Sequence, residues 1–110
     1  MIKITVYKNQ KHVYVGFDIE GHAGFHEEGK DIVCAAVSVL VINTINSIER
    51  FTADITSSLS QEDSGRIEFR FQNSPSHDAK LLLDSMILGL EEIEDNSEYQ
   101  SYIDIIFEEV

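Results

Sequence analysis

The side chain best suited to covalent chemistry is that of Cys34, the only cysteine in the chain. Two of the four histidines, His22 and His26, lie shortly before it in the sequence. A thiol beside an imidazole can form a nucleophile–base pair, because the thiolate is the reactive form of cysteine. The pattern therefore predicts nucleophilic chemistry at Cys34, with His22 as its general base and His26 as a competing base.

Residues 20–30 connect a predicted strand to a predicted helix and are rich in glycine. Gly21, Gly24 and Gly29 all lie in this segment. Glycine allows a backbone to approach a ligand closely or to move as a flap, and loops held on a rigid scaffold commonly carry function. The segment is therefore the candidate ligand-binding loop.

The helix that follows the loop is predicted over residues 31–50, with Asp31 as its N-cap. On that assignment Cys34 is the third helical residue, close to unpaired backbone N–H groups and to the positive end of the helix dipole. Both features favour the thiolate. Apolar residues occupy nearly every side of this helix, so we expect it to be buried against more than one layer. A second subunit would cover the face that the sheet leaves exposed, and we predict a homodimer.

Other interpretations of the same residues stay open. A single cysteine followed by Ala-Ala-Val is also typical of a small buried core residue. Glu20, His22, His26, Glu27 and Glu28 are possible metal ligands, but their spacing matches no standard metal site, and we expect neither a metal nor a cofactor. The sequence contains no G-x-G-x-x-G or P-loop pattern for phosphate binding.

The periodicity of the whole chain predicts one α+β domain over residues 1–110. Strands with one apolar face combine with two helices in the order ββαββαβ. The economical architecture is a two-layer sandwich, with both helices on one face of a mainly antiparallel sheet. The predicted strands are 2–7, 13–19, 52–59, 66–72 and 102–108, and the predicted helices are 31–50 and 75–94, the second with Pro75 at its first helical position.

The net charge of the chain is −12, and nearly all of it lies in residues 51–110. A surface this acidic repels phosphate backbones, so we expect no direct nucleic-acid binding. It attracts basic proteins, although an acidic surface also serves solubility alone. We expect no apolar run of the roughly 20 residues that a membrane span needs, and hence no membrane partner. The single cysteine and the strand-like N-terminus indicate a cytoplasmic protein.

Two sequence blocks carry a family resemblance. Residues 21–24 read Gly-His-Ala-Gly, and residues 29–38 read Gly-Lys-Asp-Ile-Val-Cys-Ala-Ala-Val-Ser. In this order and at this distance they resemble the ribosomal-processing cysteine protease Prp family, and the likeness extends to the length, the opening strands and the acidic C-terminal half. The resemblance implies a homodimeric cysteine endopeptidase. It would remove a short N-terminal extension from a basic large-subunit ribosomal protein, cleaving after phenylalanine, as ribosome maturation requires.

The resemblance also implies roles for individual residues. It places the catalytic dyad on His22 and Cys34. Asp31 and Ser38 match the family pattern as supporting residues. Asp31 either caps the helix or orients the imidazole, and Ser38 either hydrogen-bonds in the site or satisfies the backbone one turn earlier. The glycine-rich loop would close over the substrate, with these predicted contacts: Gly21, Gly24, Phe25, His26 and Gly29.

Two rival functions fit the same features. A non-enzymatic acidic module would bind a basic ribosomal protein and chaperone its assembly without using Cys34. A thiol redox sensor would need a reactive thiol but no peptide cleavage. Since the chain has no second cysteine, such a sensor would require a disulfide between subunits.

Overall fold

The elements of the chain follow the predicted order. The computed structural model describes residues 1–21, 28–61 and 65–110, with residues 28–31 described by their backbone alone. Two helices and five strands occur in the order ββαββαβ, which confirms the prediction. The elements are β1 (Ile2–Lys8), β2 (Tyr14–Glu20), α1 (Glu28–Phe51), β3 (Thr56–Gln61), β4 (Arg66–Phe71), α2 (His77–Asp95) and β5 (Ile103–Glu109).

The five strands form one sheet in the order β3-β4-β2-β1-β5. β5 pairs with β1 in parallel, and the other three pairings are antiparallel. The sheet is therefore mixed but mainly antiparallel, which confirms the predicted α+β class. A parallel pairing at one edge is expected here, because α2 crosses over the sheet between β4 and β5.

One face of the sheet packs against both helices. Strand side chains point alternately to opposite faces, and the buried residues of β1, β2, β4 and β5 belong to the same hydrophobic core as the inner residues of the helices. Leu40 of α1 packs onto Gly89 of α2, where an added Cβ would lie 3.1 Å from a Leu40 methyl carbon. The largest buried members of this core include Ile4, Phe17, Phe69 and Leu83, with Val37 from α1.

The two ends of the sheet differ in the elements that meet there. At one end, β2 and β3 finish while β1, β4 and β5 begin. We call it the site end, because the predicted ligand-binding loop follows β2 there. At the opposite end, which we call the hairpin end, the β1–β2 turn lies beside the start of β3 and the end of β4. Because β2 ends at Glu20 and α1 begins at Glu28, α1 starts at the site end and runs back toward the hairpin end.

The starts of β3 and α2 differ from the predictions. β3 begins at Thr56, not at residue 52, because the chain leaves α1 through a turn in which the Thr52 hydroxyl donates to the Ile48 carbonyl at 2.7 Å. α2 begins at His77 with Ser76 as its N-cap, and the Ser76 hydroxyl accepts from the Ala79 N–H at 3.2 Å. Pro75 therefore precedes the cap instead of occupying the first helical position.

The apolarity of α1 exceeds the expectation from sequence. Its residues Ile32–Phe51 form a 20-residue stretch with a mean hydropathy of 1.8, long and apolar enough to cross a membrane by length and composition. The prediction that no apolar run reaches this length is therefore wrong. The core helix of a globular domain has the same properties, and Val33, Val37 and Val41 of this stretch are buried in the core formed with the sheet.

The face of the sheet opposite the helices carries a polar network around Asp18, which is only 7% exposed. The Tyr7 hydroxyl donates to one Asp18 oxygen at 2.7 Å, and the Arg70 guanidinium donates to the other at 2.8 Å. Burial opposes ionisation of Asp18, but these two hydrogen bonds and the charges of Arg70 and Arg66 outweigh it, so its pKa is lowered. The network is therefore a satisfied buried charge that joins β1, β2 and β4.

Gly16 makes the position of the Arg70 side chain possible. It lies opposite Arg70 in the β2–β4 register, and a Cβ there would come within 2.9 Å of the Arg70 Cδ and 2.6 Å of the Phe69 carbonyl oxygen. Without a side chain at this position, the guanidinium crosses β2 to reach Asp18 and stacks 4.4 Å from the centroid of the Tyr7 ring.

We predict that Asp18→Asn lowers the free energy of unfolding at pH 7 by about 1–3 kcal/mol, since it removes charge-assisted hydrogen bonds. Because the pKa is lowered in the folded state, the stabilisation is present above the ordinary aspartate pKa of about 3.9 and is lost as pH falls through the folded value. Urea unfolding at pH 7 and pH 3 measures both effects. The matched control is Asp104→Asn, on the same face of the sheet. Equal stability of Asp18→Asn and wild type at pH 7 would contradict the assignment.

Candidate active site

Cys34 lies in the second turn of α1, where the core meets the outer surface of the helix. It is 9% exposed and belongs to the hydrophobic core together with Val33 and Val37. Ser38, one turn further along, is half-buried and lines the outer surface. The thiol is thus largely withdrawn from solvent.

The start of α1 corrects the predicted cap. The helix begins at Glu28, so Asp31 is its fourth residue and not its N-cap. Cys34 is the seventh helical residue and not the third. The four N–H groups that lack helical partners are consequently those of residues 28–31. Helical side chains lean toward the N-terminus, so the Cys34 side chain is directed toward the first turn, although its own N–H is within the hydrogen-bonded helix.

Gly21 fixes the direction in which the chain leaves β2. Its φ is +81°, a left-handed conformation that glycine adopts readily and other residues rarely do. An added Cβ would lie 2.5 Å from the Met1 carbonyl oxygen. Gly21 was predicted to belong to a substrate-binding loop, and the structure gives it a definite role at the base of that loop: it permits a sharp turn against the start of β1.

The other predicted loop residues fall partly outside the described structure. His22, Gly24, Phe25 and His26 lie in residues 22–27, and predictions about them remain predictions. Gly29 was predicted in the loop but has helical backbone in the first turn of α1. Of Asp31, only the helical backbone is described, so its proposed orienting role also remains a prediction.

His12 and His77, the two histidines in the described part of the chain, lie far from the start of α1, where Cys34 is located. His12 lies in the turn between β1 and β2, and His77 is the first residue of α2, which follows β4. Both positions are at the hairpin end. A seven-residue strand spans roughly 20 Å, so neither imidazole can act as a base for a thiol at the site end. Of the four histidines, only His22 and His26 connect the end of β2 to the start of α1.

The described residues contain no group of three or more His, Cys, Asp or Glu side chains that could hold a metal ion. The metal cluster considered from the sequence consists of Glu20 and of residues in the segment 22–28 whose side chains lie outside that description. The alternative of a metal site is therefore untested for those residues.

Ser38 lines a shallow groove of about 360 Å³ on the outer side of α1. Elsewhere in this helix and just after it, Thr44 and Thr52 donate to the carbonyls of Leu40 and Ile48 at 2.6 and 2.7 Å. Within the described structure, the Ser38 hydroxyl makes no hydrogen bond of this kind. The rest of the groove wall is formed by Val39, Ile42, Asn43 and Asn46.

An ion-pair network at the site end was not predicted from the sequence. Arg66, the first residue of β4, lies 3.4 Å from the Glu20 carboxylate and 2.7 Å from that of Glu68. The Arg66–Glu20 ion pair joins the start of β4 to the end of β2, immediately before Gly21. The alternation of Arg66, Glu68 and Arg70 was visible in the sequence, but their partners on β2 are fixed only by the strand register.

Sequence comparison decides the family. A family model described as cysteine protease Prp matches residues 1–104. The chain belongs to this family. A Prp relative named ribosomal processing cysteine protease, from Bacillus subtilis (strain 168), is 33% identical over 98 residues, covering 86% of this chain and 88% of the relative. The Prp protein of Staphylococcus aureus (strain Mu50) is 27% identical over 95 residues, covering 86% and 90%.

Solved Prp structures have the same fold. A crystal structure of the Staphylococcus aureus protease Prp in complex with a substrate peptide matches with a TM-score of 0.91 and 26% identity, covering 98% of this chain and all of that one. A second, in complex with a covalently linked product peptide, matches with a TM-score of 0.87 and 27% identity over the same coverage. The predicted family and fold are therefore confirmed.

We predict that Gly21→Ala lowers the free energy of unfolding by about 1–3 kcal/mol, because the new Cβ meets the Met1 carbonyl in a left-handed backbone conformation. Gly29→Ala is the matched control. With helical backbone it should be neutral or stabilise the protein by up to about 1 kcal/mol. Thermal unfolding of the two variants checks this difference in sign. Destabilisation by Gly29→Ala with no effect of Gly21→Ala would contradict the assigned roles.

Proposed function

We propose that this member of the Prp family is a cytoplasmic cysteine endopeptidase. It removes the short N-terminal extension of a large-subunit ribosomal protein by cleaving after phenylalanine, a step needed for ribosome maturation. The observation that carries the proposal is simple. The family is one of cysteine proteases, the chain has a single cysteine, and that cysteine lies near the start of α1 at the site end of the sheet.

His22 is the proposed general base. Its support is the exclusion of His12 and His77 by their position at the hairpin end, together with the family motif. His22 follows Gly21 directly, and the conformation of Gly21 is fixed against the start of β1. His26 lies only two residues before α1 and is the alternative base.

The proposed chemistry is acyl transfer. His22 takes the Cys34 proton, and the sulfur attacks the carbonyl carbon of the substrate phenylalanine. Backbone N–H groups of the first turn of α1, unpaired within the helix, donate hydrogen bonds to the oxyanion. The C–N bond then breaks as the imidazolium protonates the leaving amine. Water, deprotonated by His22, hydrolyses the thioester, releasing the carboxylate product and restoring the thiol.

Two observations support a basic protein substrate. The chain carries a charge of −12, and complementary charge promotes encounter with a basic partner. The relatives named above are called ribosomal processing proteases, and one is solved with a substrate peptide. An extension cut from a ribosomal protein is consistent with both.

We expect a peptide spanning the extension and the first residues of that ribosomal protein to be cut after phenylalanine. Cys34→Ala should abolish cleavage. His22→Ala should lower kcat by at least about 100-fold, since general-base catalysis contributes roughly that much, whereas His26→Ala should retain most activity. Mass spectrometry of the products reads out all four proteins. Equal loss in both histidine variants would leave the base unassigned to His22. Binding of the peptide without cleavage by folded wild type would favour the acidic binding module.

Salt should weaken encounter between enzyme and substrate. Exposed charges are screened beyond a Debye length of about 8 Å at physiological ionic strength. We expect the association rate of the basic peptide to fall about 3- to 10-fold between 50 and 300 mM salt, measured by stopped-flow fluorescence with Cys34→Ala. The control is a peptide with its basic residues away from the cleavage site replaced by glutamine. An association rate that does not change with salt would contradict electrostatic steering.

We also propose that the protein is a homodimer that pairs along α1. The outer side of this helix exposes apolar side chains spaced by three, four and three residues, which is the spacing of a coiled-coil seam. Val39, at its centre, is 69% exposed. The seam consists of Ile32, Ala35, Val39 and Ile42, and Asn46 continues it as a polar position.

Val39→Asp should convert the homodimer to a monomer, because two carboxylates would be buried without partners in the seam. Size-exclusion chromatography with light scattering measures the mass. The control is Leu88→Asp, at an equally apolar exposed position on α2, which should leave the dimer intact. Dissociation by Leu88→Asp and not by Val39→Asp would place the interface on α2 instead.

A further inference from the structure

The two edges of the sheet are unequally protected. Edge strands expose unpaired backbone groups, and proteins commonly block them with charged side chains, proline or bulges. β5 carries Asp104, Glu108 and Glu109. β3, at the other edge, reads Thr-Ser-Ser-Leu-Ser-Gln and carries neither a charge nor a proline. In a chain with 28 charged side chains of Lys, Arg, Asp and Glu, the uncharged edge is open to another strand.

The β3–β4 register shows which backbone groups face outward. The Gln72 N–H donates to the Ile55 carbonyl at 2.9 Å, so residues 55 and 72 form a hydrogen-bonded pair. Pairs of this kind alternate with non-bonded pairs in an antiparallel ladder. Residues 57, 59 and 61 therefore bond to β4, and the N–H and C=O groups of Thr56, Ser58 and Ser60 point away from the sheet. The side chains of Ser58 and Ser60 are exposed.

The open edge runs toward the site end. β3 finishes at Gln61, opposite Arg66, and Arg66 contacts Glu20 at the end of β2. Neighbouring strands are about 4.8 Å apart, so the last residue of β3 lies about 10 Å from the last residue of β2. An added strand would lie about 5 Å further out. An added strand would thus lie about 15 Å from the end of β2. At about 3.3 Å per residue, four or five residues of extended chain cover these roughly 15 Å.

We infer that the outer edge of β3 binds an extended segment of the protein substrate by strand addition. The inference rests on the proposed protease function and adds a substrate-binding surface to it. Backbone hydrogen bonds from Thr56, Ser58 and Ser60 hold the segment in extended form while the bond to be cleaved lies near Cys34.

The charge of the chain favours a basic peptide over a second copy at this edge. Two copies each carry −12 and repel one another. The apolar surface that could offset this repulsion is small, since Ile55 and Leu59, which are 60% and 43% exposed, are the only large exposed apolar residues of 55–61. A basic segment is attracted by the same charge. The pairing of β3 with β3 of another subunit is therefore disfavoured.

Ser58→Pro tests the inference on the enzyme. Proline removes the central outward N–H, and on an edge strand it leaves the hydrogen bonds to β4 intact. With the peptide substrate, we expect KM to rise about tenfold and kcat to change less than twofold. Ser58→Ala, which keeps the N–H and loses only the hydroxyl, should match wild type. Identical KM values for Ser58→Pro and Ser58→Ala, with both proteins folded by circular dichroism, would overturn the inference.

A backbone scan of the peptide tests it independently if Ser58→Pro does not fold. Single N-methyl groups are placed on successive amides at least four residues from the cleaved bond. Strand addition predicts that every second N-methyl raises KM about fivefold or more and that the intervening ones have little effect. A uniform response along the peptide would overturn the inference. If wild type does not cleave the unmodified peptide at all, it is the proposed function that fails, which separates the two results.

Discussion

The whole site depends on the short distance between the end of β2 and the start of α1. β2 lies between β1 and β4, and its last residue, Glu20, is held at the site end by the strand register and by Arg66. Seven residues then lead to Glu28, and they can span at most about 25 Å. The start of α1, with Cys34 in its second turn, therefore lies at the same end of the sheet as the end of β2. Any base carried by those seven residues has the same constraint.

The sheet holds this geometry from both faces. On the helical face, buried apolar residues from four strands, β1, β2, β4 and β5, and from both helices form one core. On the other face, Asp18 is buried with its charge satisfied by Tyr7 and Arg70. A buried charge stabilises only while its partners remain. The contribution of the Asp18 network to stability therefore depends on the position of β4 relative to β2. The same displacement would move Arg66 and the base of the loop.

The fold could be predicted from the sequence because β1 and β4 alternate apolar and polar residues and α2 carries its apolar residues at helical spacing, while the length of the apolar run in α1 indicates a helix. The start of α1 could not, because Gly29 is a poor helix former and Asp31 is a good cap, so local preferences favour a later start than the structure has. The Asp18 network could not be predicted either. Arg70 is 52 residues from Asp18 in the chain, and only the register of β4 against β2 brings them together.

The candidate site was predictable to a different degree at each residue. Cys34 could be predicted because it is the single cysteine of the chain. Gly21 could be predicted from the glycine content of the loop, but its contact with Met1 is visible only in the fold. The sequence already indicates His22, with His26 as the competing base, and the topology adds that His12 and His77 lie at the hairpin end of the sheet. The unequal edges β3 and β5 also required the strand order, because nothing in the sequence shows which strands are outermost.

The most direct test of the account is to trap the covalent intermediate. Wild type is mixed with the extension peptide, quenched with acid within milliseconds to seconds, digested and examined by mass spectrometry. We expect a thioester on Cys34 whose added mass equals the N-terminal product ending in phenylalanine, and no such adduct in Cys34→Ala. Cleavage that persists in Cys34→Ala, or turnover by wild type with the adduct on another residue, would contradict it.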